Sequence, residues 1–149
     1  MLRLVVDANI LVAEVLRARG RRLLSDARVQ LYIASAAWDE ATYELPKRLR
    51  TIAERRGLPD AIAKELLTEA LLLARRNLDV IVHTFYADLE LAARARVPQD
   101  PNDWPTVALA LALDAGIWTE DRDFFGCGLP TWRTQVLQHH VHHHLTETP

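Results

Sequence analysis

Acidic residues occur in four separated segments of the sequence, and their types and spacing could support metal-dependent chemistry. The acids are Asp7, then Asp39, Glu40 and Glu44, then Asp100 and Asp103, and finally Glu120, Asp121 and Asp123. Carboxylates that converge on one point repel and raise one another's pKa unless a cation lies among them. Because these are hard oxygen ligands, with no Cys or clustered core His among them, the pattern indicates Mg²⁺ or Mn²⁺.

The acidic pattern therefore predicts hydrolysis of a phosphodiester. A divalent ion held by these acids would neutralise charge on the phosphate while water attacks in line. Each acid also has a purely structural interpretation. Asp7 could form a turn at a strand end, and Asp121 and Asp123 could do the same. Asp103 could cap the helix whose first turn contains Pro105. The sequence alone leaves both interpretations open.

The acids can meet only if strands and helices bring them together. Short β-rich segments predict strands at 2–6, 29–34, 79–83 and 117–119, with a candidate fifth at 129–133. Apolar residues at helical spacing follow Asp7 as far as Gly20, which is predicted to end that helix. The same spacing recurs at 36–54, 60–76, 86–97, 104–115 and 134–144. Pro46 predicts a kink or break.

This alternation of strands and helices predicts the α/β class. We expect a three-layer α/β/α arrangement around a central parallel sheet of four to five strands. In such sheets, ligand sites lie outside the carboxyl ends of the strands. Asp7 follows the first strand and Asp121 follows the fourth, so both are expected at this edge.

Composition predicts a single domain over residues 1–149. Of the 149 residues, 50% are hydrophobic, 26% are charged and one is cysteine, which suits a domain that needs no disulfide. The N-terminal segment lacks a basic leader before an apolar run, and no apolar run approaches the ~20 residues that cross a bilayer. We therefore expect a cytoplasmic protein that does not associate with membranes.

Charge is distributed unevenly along the chain. Residues 1–60 contain eleven Lys or Arg against eight Asp or Glu, a balance of +3, whereas residues 100–149 contain two against seven, a balance of -5. The cations cluster at Arg17, Arg19, Arg21 and Arg22, and again at Lys47, Arg48, Arg50, Arg55 and Arg56. Arg forks suit phosphate oxygens, although solvated helix faces explain such clusters equally well.

Four short motifs together resemble the PIN-domain ribonucleases, and among these the small stand-alone VapC-type toxins of toxin–antitoxin pairs. The motifs are VVDANIL at 5–11, WDEATYEL at 38–45, DPNDWPTVALALA at 100–112 and WTEDRDF at 118–124. The resemblance extends over essentially the whole chain. It implies a PIN fold and Mg²⁺- or Mn²⁺-dependent cleavage of RNA.

The resemblance also implies roles for individual residues. Asp7, Glu40, Asp103 and Asp121 match the family's catalytic and metal-binding acids, and Asp123 matches an auxiliary metal-binding acid. Asn9 and Thr119 match polar positions that orient those acids or a phosphate. Asp100 lies one turn before Asp103, and Glu44 one turn after Glu40, so either could replace or support its neighbour.

We therefore expect a metal-dependent endoribonuclease that is the toxin of a toxin–antitoxin pair, with RNA as substrate and a cognate antitoxin as partner. The alternatives are a non-catalytic PIN-like module that binds RNA or protein, and an RNA-processing nuclease without an antitoxin. The helix at 60–76 carries apolar residues on several sides, so it is either packed between other elements or part of a subunit interface, and we expect a homodimer or a larger assembly.

A histidine-rich end covers residues 139–149. It contains His139, His140, His142, His143 and His144. His139 and His143 are four residues apart and could chelate a transition metal, whereas a surface helix end or tail explains the same composition. The sequence leaves this choice open.

Overall fold

The computed structural model describes residues 1–145 and contains a five-stranded parallel sheet. Its strands are β1 (Leu2–Val6), β2 (Val29–Ala34), β3 (Leu78–Ile81), β4 (Gly116–Trp118) and β5 (Thr131–Trp132), in the spatial order β3-β2-β1-β4-β5. Helices flank this sheet in a three-layer α/β/α arrangement, which confirms the predicted fold class.

Within residues 1–145, eight α-helices connect and flank the strands. They are α1 (Ala8–Glu14), α2 (Ala18–Leu24), α3 (Ser35–Arg56), α4 (Asp60–Asn77), α5 (His83–Tyr86), α6 (Glu90–Arg96), α7 (Trp104–Leu113) and α8 (Thr134–His143). Short 3₁₀ turns occur at Ala87–Leu89, Pro101–Asp103 and Arg122–Phe124. Within the described residues, no helix is both long and apolar enough to cross a membrane.

The strand order creates a crevice beside β1. The chain passes from β1 outward to β2 and β3, and then returns to β4 on the other side of β1. Val6 is paired with Trp118, and the backbone N–H of Asp7 donates to the Trp118 carbonyl over 3.1 Å. The segments that leave β1 and β4 therefore diverge from adjacent points, as expected at the switch point of an open α/β sheet.

The core is formed by the two faces of this sheet and the helices that cover them. Leu4, Val5, Ile33 and Ile117 are fully buried in the strands, as expected for a parallel sheet covered on both faces. α7 has an almost entirely apolar sequence and contacts β1 and β2. Its N-terminus, at Trp104, thus has a fixed position relative to the strand ends.

Three details of the helices differ from the sequence expectation. Gly20 does not end a helix but lies inside α2, where a Cβ atom would collide with the Glu14 backbone. Pro46 does not break α3, because Leu45 and Leu49 on either side of it are buried against the core. The helix expected at 86–97 is found as a 3₁₀ turn followed by α6, and α5 precedes both, ending at the buried Tyr86.

Two expectations concern the C-terminal end of the chain. The last helix was expected over 134–144 and is found at Thr134–His143. The histidine-rich end was assigned to residues 139–149, of which 146–149 lie outside the described residues.

Candidate metal centre

Asp7 and Thr119 join the carboxyl ends of β1 and β4. Asp7 is 6% exposed, and its Oδ2 accepts a hydrogen bond of 3.0 Å from the Thr119 hydroxyl. The same hydroxyl oxygen accepts the backbone N–H of Asp121 over 2.9 Å, and Asp121 Oδ1 accepts the backbone N–H of Asp123 over 2.9 Å. One continuous set of hydrogen bonds thus connects the first motif to the last.

Asp103 lies in a second group of acids, at the start of α7. One carboxylate oxygen from each of Asp100, Asp103 and Asp123 lies within 4.8 Å of the other two, and all three residues are partly buried. Asp100 accepts the backbone N–H of Asn102 and so caps the 3₁₀ turn before α7. Asp103 makes no capping hydrogen bond to α7, and its Oδ2 is buried without a partner among residues 1–145.

The pKa of Asp7 is raised from 3.8 to about 6. Burial is the largest cause, because it disfavours the charged carboxylate. Hydrogen bonds from the Thr119 hydroxyl and the Asn9 backbone act in the opposite direction, whereas the charges of Asp121 and Glu40 raise the pKa further. Asp7 therefore lies close enough to both acids to be affected by their charge.

The pKa of Asp103 is raised from 3.8 to about 7. Burial is again the first cause, followed by the negative charges of Asp100, Asp7, Asp121 and Glu40. Asp103 thus interacts both with Asp100 beside it and with Asp7 and Asp121 at the ends of β1 and β4, and so links the two groups of acids. A set of carboxylates with pKa values raised in this way is expected where a cation normally compensates the charge.

Glu40 and Glu44 lie one turn apart on α3 but have different surroundings. Glu40 interacts electrostatically with Asp7 and Asp103. Glu44 forms a salt bridge of 3.8 Å with Lys47 and lines a depression with Arg48 and Thr51. Of the two acids, Glu40 is the one that the fold directs toward the other carboxylates.

The donor set fits a hard divalent cation. Every acid in the two groups offers carboxylate oxygens. One of these oxygens, Asp103 Oδ2, is buried and has no hydrogen-bond partner in the described part of the chain. Mg²⁺ and Mn²⁺ favour oxygen ligands of this kind. The residues present are therefore suited to hold such an ion, with Asp103 shared between the groups.

A family model described as a PIN domain matches residues 5–142 of the chain. The chain belongs to the PIN domain family. A search of curated proteins found no match. PIN domains are generally nucleases that use divalent metals, and the acidic cluster of this PIN domain is compatible with that chemistry.

A cleft of about 590 Å³ opens beside the acids of this PIN domain. Asp7 and Asp121 lie along part of its wall, and the rest includes Asn9, Glu14, Arg17, Arg19, Arg48, Glu120, Arg133 and Gln135. The cleft thus combines carboxylates with four guanidinium groups. Arginines beside an acidic centre can attract a polyanion that the acids alone would repel.

Glu14 holds two of these arginines. It is 1% exposed, and its Oε1 accepts hydrogen bonds from Arg17 over 3.5 Å and from Arg19 over 3.3 Å. Gly20 packs directly against the Glu14 backbone, so α2 returns close to α1 at this point. Sequence analysis found the arginines but not Glu14; an acid within the apolar stretch 10–16 is the signal that could have identified it.

Glu120 and Arg133 form a second link that sequence analysis did not identify. Arg133 Nε donates to Glu120 Oε2 over 2.9 Å, and the backbone N–H of Thr134 donates to Glu120 Oε1 over 2.8 Å. These contacts attach the start of α8 to the loop that carries Asp121. Thirteen residues separate the two side chains, so no local sequence pattern relates them.

Proposed function

We propose that this PIN domain is a metal-dependent endoribonuclease that hydrolyses RNA phosphodiester bonds, with Asp7, Glu40, Asp103 and Asp121 as its catalytic acids. The single observation that carries the proposal is Asp103: its carboxylate has a pKa raised to about 7 and interacts with all three other acids. Its buried Oδ2 has no hydrogen-bond partner in the described part of the chain. A purely structural Asp would be expected to use that oxygen.

Asp7, Glu40, Asp103 and Asp121 would hold Mg²⁺ or Mn²⁺, with Asp123 and Asp100 as further oxygen donors. When bound, such an ion supplies charge neutralisation at the phosphate and favours attack by water. The protein's own contribution is to hold the acids in fixed positions. Thr119 orients Asp7 through its hydroxyl, and its oxygen fixes the backbone of Asp121 at the same time.

The arginine side of the cleft would bind the RNA backbone. Arg17, Arg19, Arg48 and Arg133 line the same cleft as Asp7 and Asp121. Guanidinium groups pair with phosphate oxygens through two parallel hydrogen bonds. Phosphates flanking the bond to be cleaved would therefore contact these arginines, while Asn9, on the exposed wall of the cleft, offers an amide to the same backbone.

The decisive experiment is cleavage of a 5′-labelled RNA panel, structured and unstructured, by the purified protein with Mg²⁺, Mn²⁺ or EDTA. We expect products with either metal and none with EDTA. The Asp7→Asn protein, prepared in parallel, is the control for contaminating nucleases, and it should lose roughly 100-fold or more of the rate. Cleavage that persists in EDTA, or that Asp7→Asn retains, would reject the proposal.

Binding of Mn²⁺ separates the nuclease from the alternative of a non-catalytic PIN-like module. Titration followed by electron paramagnetic resonance should detect Mn²⁺ binding to the natural protein and weaker binding to Asp103→Asn. A protein that binds RNA but neither binds Mn²⁺ nor cleaves any member of the panel would favour the binding module.

We further propose that the chain is the VapC-type toxin of a toxin–antitoxin pair. The resemblance of the four motifs supports this role. Induced expression should stop bacterial growth, and Asp121→Asn should restore it at equal protein level. Unimpaired growth with an active nuclease would instead favour an RNA-processing enzyme without an antitoxin.

We also propose a homodimer formed through α4. Ile62 is 41% exposed, Leu66 37% and Leu72 47%, while only Ala70 and Ala74 of this helix are buried. An apolar surface of this kind is typical of subunit contacts. Light scattering at tens of micromolar should give a dimer mass, and Leu66→Glu with Leu72→Glu should give a monomer. A monomeric natural protein would contradict the dimer and leave the nuclease proposal unaffected.

A further inference from the structure

The end of α8 carries the histidines that the proposed nuclease does not use. The helix is continuous to His143, with His144 as its C-terminal cap. Because residues four apart lie on the same face of a helix, His139 and His143 are neighbours one turn apart. For the described histidines the structure shows a surface helix end rather than an irregular tail, and this helix places His139 and His143 where both could bind one ion.

The rings of His139 and His143 approach closely. Their centroids are 4.4 Å apart, with an angle of 40° between the ring planes. The ring centroid of His144 lies 5.9 Å from that of His139. With metal–nitrogen bonds of about 2.0–2.1 Å, the centroids of two adjacent imidazole ligands lie roughly 4–5 Å apart. The observed separation of the two rings therefore matches that of two imidazoles that bind one ion.

The rest of α8 is fixed to the protein, which gives this pair a stable platform. Leu137 and Val141 are fully buried, and the backbone N–H of Thr134 is bound by Glu120. His140 packs against Trp132, with ring centroids 4.8 Å apart. His139 and His143 are instead exposed and, together with His142, line a surface hollow of about 510 Å³.

We propose that His139 and His143 form a second metal site, selective for divalent transition metals such as Zn²⁺, Ni²⁺ and Cu²⁺. Imidazole nitrogen suits these ions, whereas Mg²⁺ favours oxygen ligands. The site is therefore chemically distinct from the carboxylate centre and does not depend on the proposed nuclease function. An ion bound at His139 and His143 would clamp the last turn of α8.

The test uses the full-length protein carrying Asp7→Asn and Asp103→Asn, so that the carboxylate centre contributes little to the signal. Ni²⁺ is titrated by calorimetry, and Cu²⁺ binding is followed by electron paramagnetic resonance. Two matched double variants are compared in this background: His139→Gln with His143→Gln, and His140→Gln with His144→Gln, a pair with the same spacing whose ring centroids are 5.4 Å apart. Each pair removes two of the five histidines at the end of α8.

We expect one tight Ni²⁺ per chain and a Cu²⁺ spectrum with coupling to two nitrogens. Replacing His139 and His143 should weaken Ni²⁺ binding roughly 10- to 100-fold, the loss expected when ligation is disturbed, and should abolish the two-nitrogen coupling. The His140 and His144 pair should change the affinity less than about threefold, because the ring of His140 packs against Trp132. Equal losses from the two pairs, or no saturable Ni²⁺ binding in the parent, would overturn the proposal.

Discussion

The hydroxyl of Thr119 donates a hydrogen bond of 3.0 Å to Oδ2 of Asp7, although 112 residues separate them in the chain. The same oxygen accepts the backbone N–H of Asp121. Thr119 is fully buried between the ends of β1 and β4. One side chain therefore sets the orientation of one proposed catalytic acid and the backbone position of another.

Thr119→Val should impair the centre without disturbing the sheet, because it keeps the β-branched shape and removes the hydroxyl. We expect the cleavage rate to fall roughly 10- to 100-fold, as for other residues that orient metal ligands. Thr119→Ser retains the hydroxyl and should keep most of the activity. Single-turnover cleavage with saturating Mn²⁺ measures both; equal rates for Val and Ser would show that the hydrogen bond does not matter.

Glu40→Gln should be far more damaging than Glu44→Gln. Glu40 interacts with the charges of Asp7 and Asp103, whereas Glu44 pairs with Lys47 at the surface. We expect Glu40→Gln to lower the cleavage rate roughly 100-fold, and Glu44→Gln, the matched control on the same helix, to leave it within about twofold. If Glu44→Gln proves the more damaging variant, the site has been assigned one helical turn too early.

Stability of the metal-free protein should fall as pH rises through the raised pKa values of Asp103 and Asp7. These carboxyls have pKa values of about 7 and about 6 in the folded chain against 3.8 ordinarily, so the folded state binds protons more tightly than the unfolded state. Their stabilising contribution is complete below the ordinary pKa and is lost above about pH 7. In EDTA, we expect a lower Tm at about pH 8 than at about pH 5.5.

Asp103→Asn isolates this effect, because every other titratable group is the same in both proteins. Asn keeps the shape of the side chain and cannot become charged, so the Tm at high pH should rise and the pH dependence should become shallower. Calorimetric melts of the two proteins across this range provide the measurement. Identical pH profiles would mean that Asp103 carries an ordinary pKa.

Arg17 and Arg19 should affect substrate binding more than the chemical step. Replacing both with Gln should raise KM roughly tenfold and leave kcat nearly unchanged, because their proposed contacts are with phosphates that flank the cleaved bond. The dependence of log affinity on log salt should decrease by about 0.7 for each lost phosphate contact to single-stranded RNA. Arg3→Gln, at an exposed position near the end of β1 opposite Asp7, is the control and should change neither quantity.

Glu14→Gln should reproduce part of that KM effect, since it releases the two guanidinium groups that Glu14 holds. The kcat should again be preserved. A drop in kcat without a change in KM would indicate that Glu14 supports the acids rather than the arginines.

The sequence alone determined the layered fold and the order of its acidic motifs. Buried β-rich segments alternating with helical spacing leave few arrangements other than a covered parallel sheet. Asp7 follows β1 directly and Asp121 comes three residues after the end of β4, so the rule for parallel sheets was enough to place both at the same edge. Gly20 and Pro46 misled the local prediction because packing against Glu14 and against the core outweighs single-residue propensity.

Only the tertiary structure decided which acids meet and which partners hold them. Asp100 and Glu44 are each one turn from a stronger candidate, and helical spacing cannot tell which turn faces the site. Asp100 joins Asp103 and Asp123 because the 3₁₀ turn before α7 brings it there, whereas Glu44 turns to Lys47. The Thr119–Asp7 and Arg133–Glu120 contacts likewise join distant segments. Such contacts depend on how elements pack in three dimensions, and no local pattern of residues encodes them.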